Sequence, residues 1–341
     1  MSTPNFVLRW PPGVGRGAVL ALALLAVLNQ LLFSDPIIRR YGAVFAVGRA
    51  MDKQLHIEAQ PPAVLILGNS RVDNGLDPRT LSTAWGGVPV FNHGVPGANA
   101  RVMYGMVKRL EAAGALDQGK TRGIILGLDE SFIQADESLG YIYFFGDRPS
   151  LWAGREYRHW FGSWLRLWAY SDNLRQLREP EKALRFSVAT FQALEPVGGA
   201  AWRNWGYRAG FSGGGQNEGQ ATRQETLAQH APDQSVVQAF EAMLDLLQKR
   251  GVEVVVTFPP LLQRQSAYRD ATQADGSYAR LKERLKNRSV TVLDERDPVP
   301  RDAAYFVNPG HLNNKGAQIY SAWLAGRLRS EWAWLSPGGA K

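Results

Sequence analysis

Short apolar runs alternate with helix-like segments along most of this chain. The runs lie at 63–67, 88–91, 123–128, 252–258 and 290–293. The helix-like segments lie at 98–113, 235–249, 278–286 and 315–328. Runs that are apolar throughout are typical of strands buried on both faces of a parallel sheet. Their alternation with helices predicts an α/β domain built on a doubly wound, mostly parallel sheet of five strands.

The N-terminus carries a different pattern, a long stretch without charge. Residues 17–33 (GAVLALALLAVLNQLLF) follow Arg9 and Arg16, and a helix of this length would run about 25 Å, just short of a hydrocarbon core. A cleaved signal peptide is the competing interpretation, but Leu32 stands where a cut after Ser34 requires a small residue. We therefore expect an uncleaved single-pass anchor in the inner (cytoplasmic) membrane, with the bulk of the chain extracytoplasmic, in the periplasm.

These patterns divide the chain into three parts. Residues 1–36 form a tail and transmembrane anchor, 37–62 a neck without clear period, and 63–341 the α/β domain. An insertion at about 131–234 interrupts the alternation of strands and helices. A segment of this length that lacks the alternation is unusual inside a compact domain.

The insertion is rich in aromatic residues. Trp160, Trp164 and Trp168 are spaced by four, which predicts one aromatic stripe on a helix. Two interpretations stay open: the stripe packs on the core or against the membrane interface, or it forms a lid or platform for a sugar or acyl substrate. The basic residues of this segment would suit an anionic glycan and equally a solvated face; they are Arg155, Arg158, Arg166, Arg175 and Arg178.

Composition narrows the functional classes. A chain of 341 residues with 45% hydrophobic side chains can bury a large core, which excludes global disorder. It contains no cysteine, so disulfides, zinc–thiolate sites and cysteine nucleophiles are excluded. The formal net charge is +8, but the basic residues are scattered, so we expect no nucleic-acid partner. No metal or organic cofactor is implied.

Two residues far apart in sequence are candidates for one catalytic site. Ser70 follows the first strand directly, at the sheet edge where ligands bind in open α/β sheets. Taken alone, such a serine is more often a helix N-cap than a nucleophile. His311 precedes the last helix at the same edge and is the candidate base. His93, placed after the second strand, is the rival base, although a structural histidine is the better interpretation of it.

Four separated segments together resemble the SGNH (GDSL-like) hydrolase superfamily in order and spacing. They are GNSR at 68–71, NHGVPG at 92–97, GLDE at 127–130 and NPGH at 308–311. The resemblance spans 63–328 without the insertion and implies the flavodoxin-like fold of that superfamily. It also implies that Ser70 is the nucleophile, Gly94 an oxyanion donor and His311 the base, with Arg71 and Asn92 as further candidates for binding substrate.

Two positions depart from the superfamily's pattern. Asp129 stands where the pattern has an oxyanion-stabilising asparagine, and a carboxylate would repel an oxyanion. Asn308 stands where the pattern has the triad acid, and an amide stabilises imidazolium poorly. Asp302 and Asp297 in the same loop are candidates for the acid instead. A Ser-His dyad without an acid would also fit these residues, and so would an inactive fold kept for binding.

The combination of a membrane anchor, this fold and an aromatic insertion resembles extracytoplasmic proteins of polysaccharide O-acetylation. The resemblance implies serine-dependent acyl transfer to an exopolysaccharide or other envelope glycan, with a membrane-bound O-acyltransferase as a partner. An esterase or deacetylase of the same fold would use the same residues. A catalytically inactive scaffold in a polysaccharide-modification complex would keep the fold without the chemistry.

Overall fold

A five-stranded sheet forms the centre of the protein. The structure is a computed structural model that describes residues 14–135, 140–194, 196–197, 203–208, 232–262, 277–294 and 298–335. The strands are β1 (Val64–Gly68), β2 (Val90–Gly94), β3 (Gly123–Gly127), β4 (Glu253–Thr257) and β5 (Thr291–Leu293). They lie in the order β2-β1-β3-β4-β5, and every neighbouring pair is parallel. All five apolar runs are therefore strands, and the predicted α/β class with a parallel sheet is confirmed.

The described residues form 14 α-helices. The first six are α1 (Val14–Leu32), α2 (Asp35–Arg40), α3 (Ala46–Ala59), α4 (Ser70–Gly75), α5 (Pro78–Ala84) and α6 (Ala100–Ala112). The insertion holds α7 (Ile142–Phe145), α8 (Arg148–Ala153), α9 (Tyr157–Trp164), α10 (Arg166–Arg175) and α11 (Pro180–Phe191). The last three are α12 (Gln234–Lys249), α13 (Ser277–Leu285) and α14 (Asn314–Glu331), which with α6 match the four predicted helices.

Shorter elements connect these helices. Turns of 3₁₀-helix occur at Glu130–Ile133, Gln176–Arg178, Arg203–Gly206, Ala303–Tyr305 and Ala333–Leu335. A small antiparallel hairpin of β6 (Phe306–Asn308) and β7 (His311–Leu312) precedes α14. This hairpin carries the NPGH segment.

Alternate residues of each central strand enter two separate hydrophobic clusters. Leu65 and Leu67 of β1 pack in the first cluster, with residues of α3, α6 and α12. Val64 and Ile66 pack in the second, with residues of α4, α5 and α14. Because both faces are covered, every position of the strand is apolar, as the unbroken runs indicated.

The helix α1 differs from the rest of the protein in its exposure. Residues Gly15–Leu32 have a mean hydropathy of 1.7 and only 6% of them are buried. Among the described residues, this is the one helix long and apolar enough to cross a membrane. Near its end, however, Asn29 and Phe33 are buried against the rest of the chain.

The neck is part of the packed structure. Val47, Met51 and Ile57 of α3 lie in the first hydrophobic cluster, so the packed domain begins before residue 63, where the sequence placed its start. Lys53 and Gln54 are also fully buried. Polar residues on the buried face of α3 explain why this segment shows no hydrophobic period.

The predicted continuous tryptophan stripe of the insertion is wrong in one respect. The helix ends at Trp164 and a new one begins at Arg166, with Leu165 at φ −105° and ψ 64°. The rings of Trp160 and Trp164 remain in edge-on contact, with centroids 6.1 Å apart, whereas Trp168 lies on the next helix. The glycine-rich segment 210–215 lies outside the described residues.

Candidate active site

Three glycines end three neighbouring strands of the sheet in one row. Gly68 of β1 pairs in register with Gly94 of β2 on one side and with Gly127 of β3 on the other. The chain leaves β1 for β2 and then crosses to β3 on the opposite side, which makes this row a switch point where open α/β sheets bind ligands. Ser70 and Asp129 each follow the row by two residues.

Ser70, His311 and Asn308 form one hydrogen-bonded chain above this edge. Ser70 Oγ lies 2.9 Å from His311 Nε2, and His311 Nδ1 lies 2.9 Å from Asn308 Oδ1. The structure thus brings together two residues separated by 241 positions, which sequence reasoning had placed on the same rim.

The orientation of the Asn308 amide determines the imidazole tautomer. Asn308 Oδ1 also accepts the backbone N–H of Gly310 at 3.0 Å. Because a backbone N–H only donates, the amide oxygen must face this side, and His311 must carry its proton on Nδ1. His311 Nε2 is then free to accept the Ser70 proton, as a general base requires.

The surroundings of His311 favour the neutral imidazole. Burial, together with the positive charges of Arg71 and Arg208, lowers the pKa of His311 to about 4, although Asp73 acts in the opposite direction. At neutral pH the ring is therefore neutral, with Nε2 unprotonated and able to take a proton from Ser70. The same charges oppose the imidazolium that forms when it does so.

The candidate acid Asp302 does not reach His311. Its carboxylate accepts the N–H of Ala304 at 2.9 Å and caps the 3₁₀ turn that follows, on the exposed surface. The expectation of Asp302 as a catalytic acid is therefore wrong, because its side chain is used as a local cap. Asp297 lies outside the described residues.

On the other side of Ser70, Asp129 is held in a buried polar cluster. Its carboxylate accepts the Asn69 side-chain amide, and the N–H and hydroxyl of Ser131 at 2.9 and 2.7 Å. Arg71 Nε lies 3.5 Å from the same carboxylate. Asp129 is thus surrounded by donors and cannot itself donate to an oxyanion while ionised. Its role in this geometry is to fix Asn69 and Arg71, the two neighbours of Ser70.

The predicted oxyanion donor Gly94 is already used in the fold. Its N–H donates to Asn92 Oδ1 at 2.8 Å, while the Asn92 amide donates to the carbonyl oxygens of Val72 and Leu76. A Cβ at Gly94 would lie 2.5 Å from the Asp73 nitrogen, so glycine permits the close packing of β2 on α4. Gly94 and Asn92 therefore position the helix of Ser70, and neither is directed at an acyl group.

Gly97, further along the same segment, is a candidate donor that sequence reasoning missed. It occupies the third position of a turn, with φ at +76°, closed by the hydrogen bond from Ala98 N to Val95 O. The Pro96-Gly97 pair is the usual signature of such a type II turn. Among the described residues, neither the N–H of Gly97 nor that of Ser70 has an acceptor. Both remain available for an oxyanion.

The rival base His93 is a core residue. It lies within β2, not after it, and is completely buried next to α3. Burial lowers its pKa to about 3. The structural interpretation of His93 therefore agrees with its position in the sheet.

Helix α4 is anchored by a buried ionic cluster behind Ser70. Asp73 accepts both Nη atoms of Arg49, at 2.7 and 2.9 Å, and Lys53 Nζ at 2.7 Å. Lys53 also donates to the Gly94 carbonyl at 2.7 Å. Burial raises the pKa of Asp73, but the two cations outweigh it and lower the pKa overall. The cluster ties α3, α4 and β2 together beneath the site.

A basic cavity of about 480 Å³ borders this cluster. The loop at 42–46, Pro96 and α11 form part of its wall, and its basic side chains are those of Arg49, Lys53, Lys182, Arg185 and Arg208. Arg208 comes from the second half of the insertion, and its backbone N–H donates to the Asp73 carbonyl at 3.0 Å. No sequence signal marked Arg208. Of the arginines that the sequence proposed for a glycan, Arg166 and Arg175 instead pair with Asp35 and Asp172.

No protein-family model matches the chain, and no curated protein matches it.

Proposed function

We propose that this protein is an SGNH-type, serine-dependent acyltransferase that is anchored in the inner membrane and acts on an envelope glycan in the periplasm. The observation that carries the proposal is the chain from Ser70 Oγ through His311 to Asn308, with both distances at 2.9 Å. Its place at the switch point of a parallel sheet agrees with the doubly wound architecture implied by the resemblance.

The proposed reaction proceeds in two acyl transfers. His311 Nε2 takes the proton of Ser70 as its Oγ attacks the acyl carbonyl, and the Nδ1–H is held by Asn308 Oδ1. The N–H groups of Ser70 and Gly97 stabilise the oxyanion. Collapse expels the donor's leaving group, which receives the proton from His311. A sugar hydroxyl then gives its proton to His311 and attacks the acyl-serine. His311 passes that proton to the departing Ser70 Oγ, which releases the acylated glycan and restores both residues.

The contacts at the end of α1 support an uncleaved anchor. Asn29 donates to the Trp164 carbonyl at 2.8 Å and accepts the Leu167 N–H at 3.0 Å. Phe33 packs edge-on against Tyr170, with ring centroids 5.4 Å apart. A cut after Ser34 would remove both residues, and with them the part-buried hydrogen bonds to Trp164 and Leu167 and the packing against Tyr170.

The basic cavity supports an acidic polymer as the acceptor. Arg208 lines the cavity and also acts electrostatically on His311, so the cavity lies near the candidate site. Arg49 and Lys53 pair with Asp73, Lys182 with Glu179 and Arg185 with Glu181. Together with Arg208 the cations still outnumber these carboxylates, so carboxylates or phosphates along a glycan would be attracted to the cavity. A membrane-bound O-acyltransferase remains our proposed partner and acyl supplier.

Asp129 favours a second candidate function, a catalytically inactive binding component. A carboxylate near the place of the developing oxyanion opposes its negative charge. In this second candidate, the chain from Ser70 to Asn308 is a remnant and the basic cavity holds the polymer. An esterase that passes the acyl group to water is chemically the same enzyme with a different acceptor.

Acyl transfer can be tested with the purified full chain in detergent. We expect p-nitrophenyl acetate to release p-nitrophenol and to acetylate a uronic-acid oligosaccharide, detected by mass spectrometry, and Ser70→Ala to do neither. Release without acetylated oligosaccharide would favour the esterase. No release above that of Ser70→Ala would contradict both enzymatic functions and leave the binding component.

A further inference from the structure

The helices of the insertion expose apolar residues where a soluble domain exposes polar ones. On α11, Leu184, Val188 and Phe191 are spaced by four and three, so they share one face. This face points away from the protein, with Phe191 90% exposed and Leu184 66% exposed. We call the exposed apolar residues of α9, α10 and α11 the apolar surface of the insertion.

The other two helices contribute aromatic residues to this surface. Tyr157, Phe161 and Trp164 share a face of α9 and are exposed, whereas Gly162 and Ser163 are buried. On α10, Trp168 is 72% exposed while its neighbours Ala169 and Tyr170 are buried. These exposures exclude the interpretation that Trp164 and Trp168 pack on the core. Several exposed apolar residues on adjoining helices mark a contact with another protein or with a membrane.

The end of α1 is built into the corner between α9 and α10. Where the helix breaks at Leu165, the carbonyl of Trp164 and the N–H of Leu167 are both satisfied by the Asn29 side chain. About one turn after Asn29, the Phe33 carbonyl accepts a hydrogen bond from Arg166 Nη1 at 3.0 Å. The same nitrogen donates to Asp35 Oδ1 at 2.6 Å. The corner and the last turn of α1 therefore lie at the same level.

The C-terminal end of α11 is tied to the same region. Arg40, at the end of α2, donates to the carbonyl oxygens of Ala189, Thr190 and Gln192 at 3.1, 3.2 and 2.6 Å. Tyr41 stacks on Phe186 with ring centroids 4.3 Å apart. Phe191 is thus held beside the C-terminal end of α2, the helix that directly follows α1.

The length of α1 sets the depth of this corner in a bilayer. The 19 residues of α1 span about 28 Å, close to the thickness of the hydrocarbon core. Asn29 stands three residues before its end, about 5 Å from it. When α1 spans the membrane, Asn29 and the corner that it holds lie at the boundary between hydrocarbon and headgroups, where tryptophan and tyrosine are enriched.

We propose that the apolar surface of the insertion is embedded in the outer leaflet of the inner membrane. The domain would then be held by an interfacial contact in addition to the single helix, and α9–α11 would lie in the interface as amphipathic helices do. Exposed Arg155 and Arg158, beside the aromatic residues, would reach lipid phosphates. This inference rests on the proposed anchor and does not depend on the acyl-transfer chemistry.

Single-cysteine labelling tests the proposal directly, because the chain has no native cysteine. The full chain is prepared as Phe191→Cys, Trp168→Cys, Leu25→Cys and Glu331→Cys, labelled with an NBD fluorophore and reconstituted in vesicles of phosphatidylethanolamine and phosphatidylglycerol. Leu25 is an exposed residue of α1 and reports on the anchor. Glu331 is an exposed residue at the end of α14, a helix that packs in the second hydrophobic cluster, and is the control for a surface outside the insertion. Quenching by lipids with nitroxides near the headgroup or in mid-chain reports depth.

We expect blue-shifted emission at Phe191 and Trp168 with strongest quenching by the shallow nitroxide, deeper quenching at Leu25, and neither effect at Glu331. Emission at Phe191 and Trp168 equal to that at Glu331, with Leu25 quenched, would overturn the interfacial contact and leave the anchor. Protection of Phe191 and Trp168 from both lipid nitroxides and aqueous iodide would also overturn it, because a protein would then cover the surface. Loss of quenching at Leu25 would contradict the anchor itself.

Discussion

The two sides of Ser70 exchange amide and carboxylate relative to the pattern that the sequence resembles. On the histidine side, Asn308 replaces a carboxylate and keeps its hydrogen bond to His311 Nδ1. On the opposite side, Asp129 replaces an amide and accepts hydrogen bonds from Asn69 and Ser131. The first exchange keeps the hydrogen bond that orients the base and loses the negative charge of the carboxylate. The second gives up a donor and adds a buried charge, compensated by Arg71.

In this site, the residues that orient the reacting groups therefore do not stabilise the charges that would form on them. Asn308 orients the imidazole without stabilising the imidazolium, and Asp129 fixes the loop without stabilising an oxyanion. In the proposed acyltransferase, both effects would slow catalysis without removing the nucleophile. We therefore expect a slow acyltransferase whose rate rises when either exchange is reversed.

The largest expected effect is the loss of His311. In His311→Gln, Ser70 has no base, and we expect p-nitrophenol release in the acyl-transfer assay to fall about 10³-fold. His159→Gln is the matched control, since His159 lies in the insertion and bonds Glu156, and its rate should equal that of the unchanged protein. Equal rates in both variants would mean that the hydrogen bond to Ser70 has no catalytic role.

Reversing the exchange on the histidine side should increase the rate. Asn308→Asp supplies a carboxylate to the imidazolium in a geometry that already exists, and we expect kcat to rise about 10²-fold. This is less than the 10⁴-fold effect known for a serine protease, because the tautomer here is already correct. Steady-state kinetics of the two proteins measure it. An unchanged or lower kcat would show that proton transfer to His311 does not limit the reaction.

Reversing the exchange on the other side should have a smaller effect. Asp129→Asn removes the negative charge near the oxyanion, and we expect kcat to rise about tenfold. It also leaves Arg71 without its carboxylate, so the free energy of unfolding should fall by about 1–3 kcal/mol in urea denaturation. A faster and equally stable variant would show that Asp129 does not anchor Arg71.

The pH dependence provides the finest test of the histidine side. The proposed mechanism requires neutral His311, so activity should be half lost only when the pH falls to its pKa of about 4. Arg208→Gln removes a positive charge near the ring, raises that pKa and should move the acidic limb of kcat/KM to higher pH. Asn308→Asp should move it further in the same direction. An acidic limb near the ordinary histidine value in the unchanged protein would contradict the burial and charges around His311.

Both the sheet and the proximity of Ser70 to His311 could be predicted from the sequence, because both follow from the properties of parallel strands. Buried parallel strands leave unbroken apolar runs, and the ends of parallel strands share an edge. The roles of Asp129 and Arg208 were not predictable in this way, because their partners come from distant segments that no local pattern connects. The neck was misjudged because α3 buries Lys53 and Gln54 as well as apolar residues.

The roles of the two glycines in the 92–97 segment also could not be predicted from the sequence. Gly94 and Gly97 stand three positions apart in one segment, and only the hydrogen bond from Gly94 N to Asn92 Oδ1 shows which N–H is occupied. The positive φ of Gly97 could have been predicted from the Pro-Gly pair. Whether its N–H has an acceptor depends on the fold around it.

The central claim is that Ser70 is a nucleophile activated by His311, and covalent labelling tests it most directly. The full chain is treated with a fluorophosphonate probe and its peptides are mapped by mass spectrometry. We predict a single adduct on Ser70, absent in Ser70→Ala and formed far more slowly in His311→Gln. An unlabelled Ser70 in the folded protein, or labelling that His311→Gln leaves unchanged, would contradict the claim.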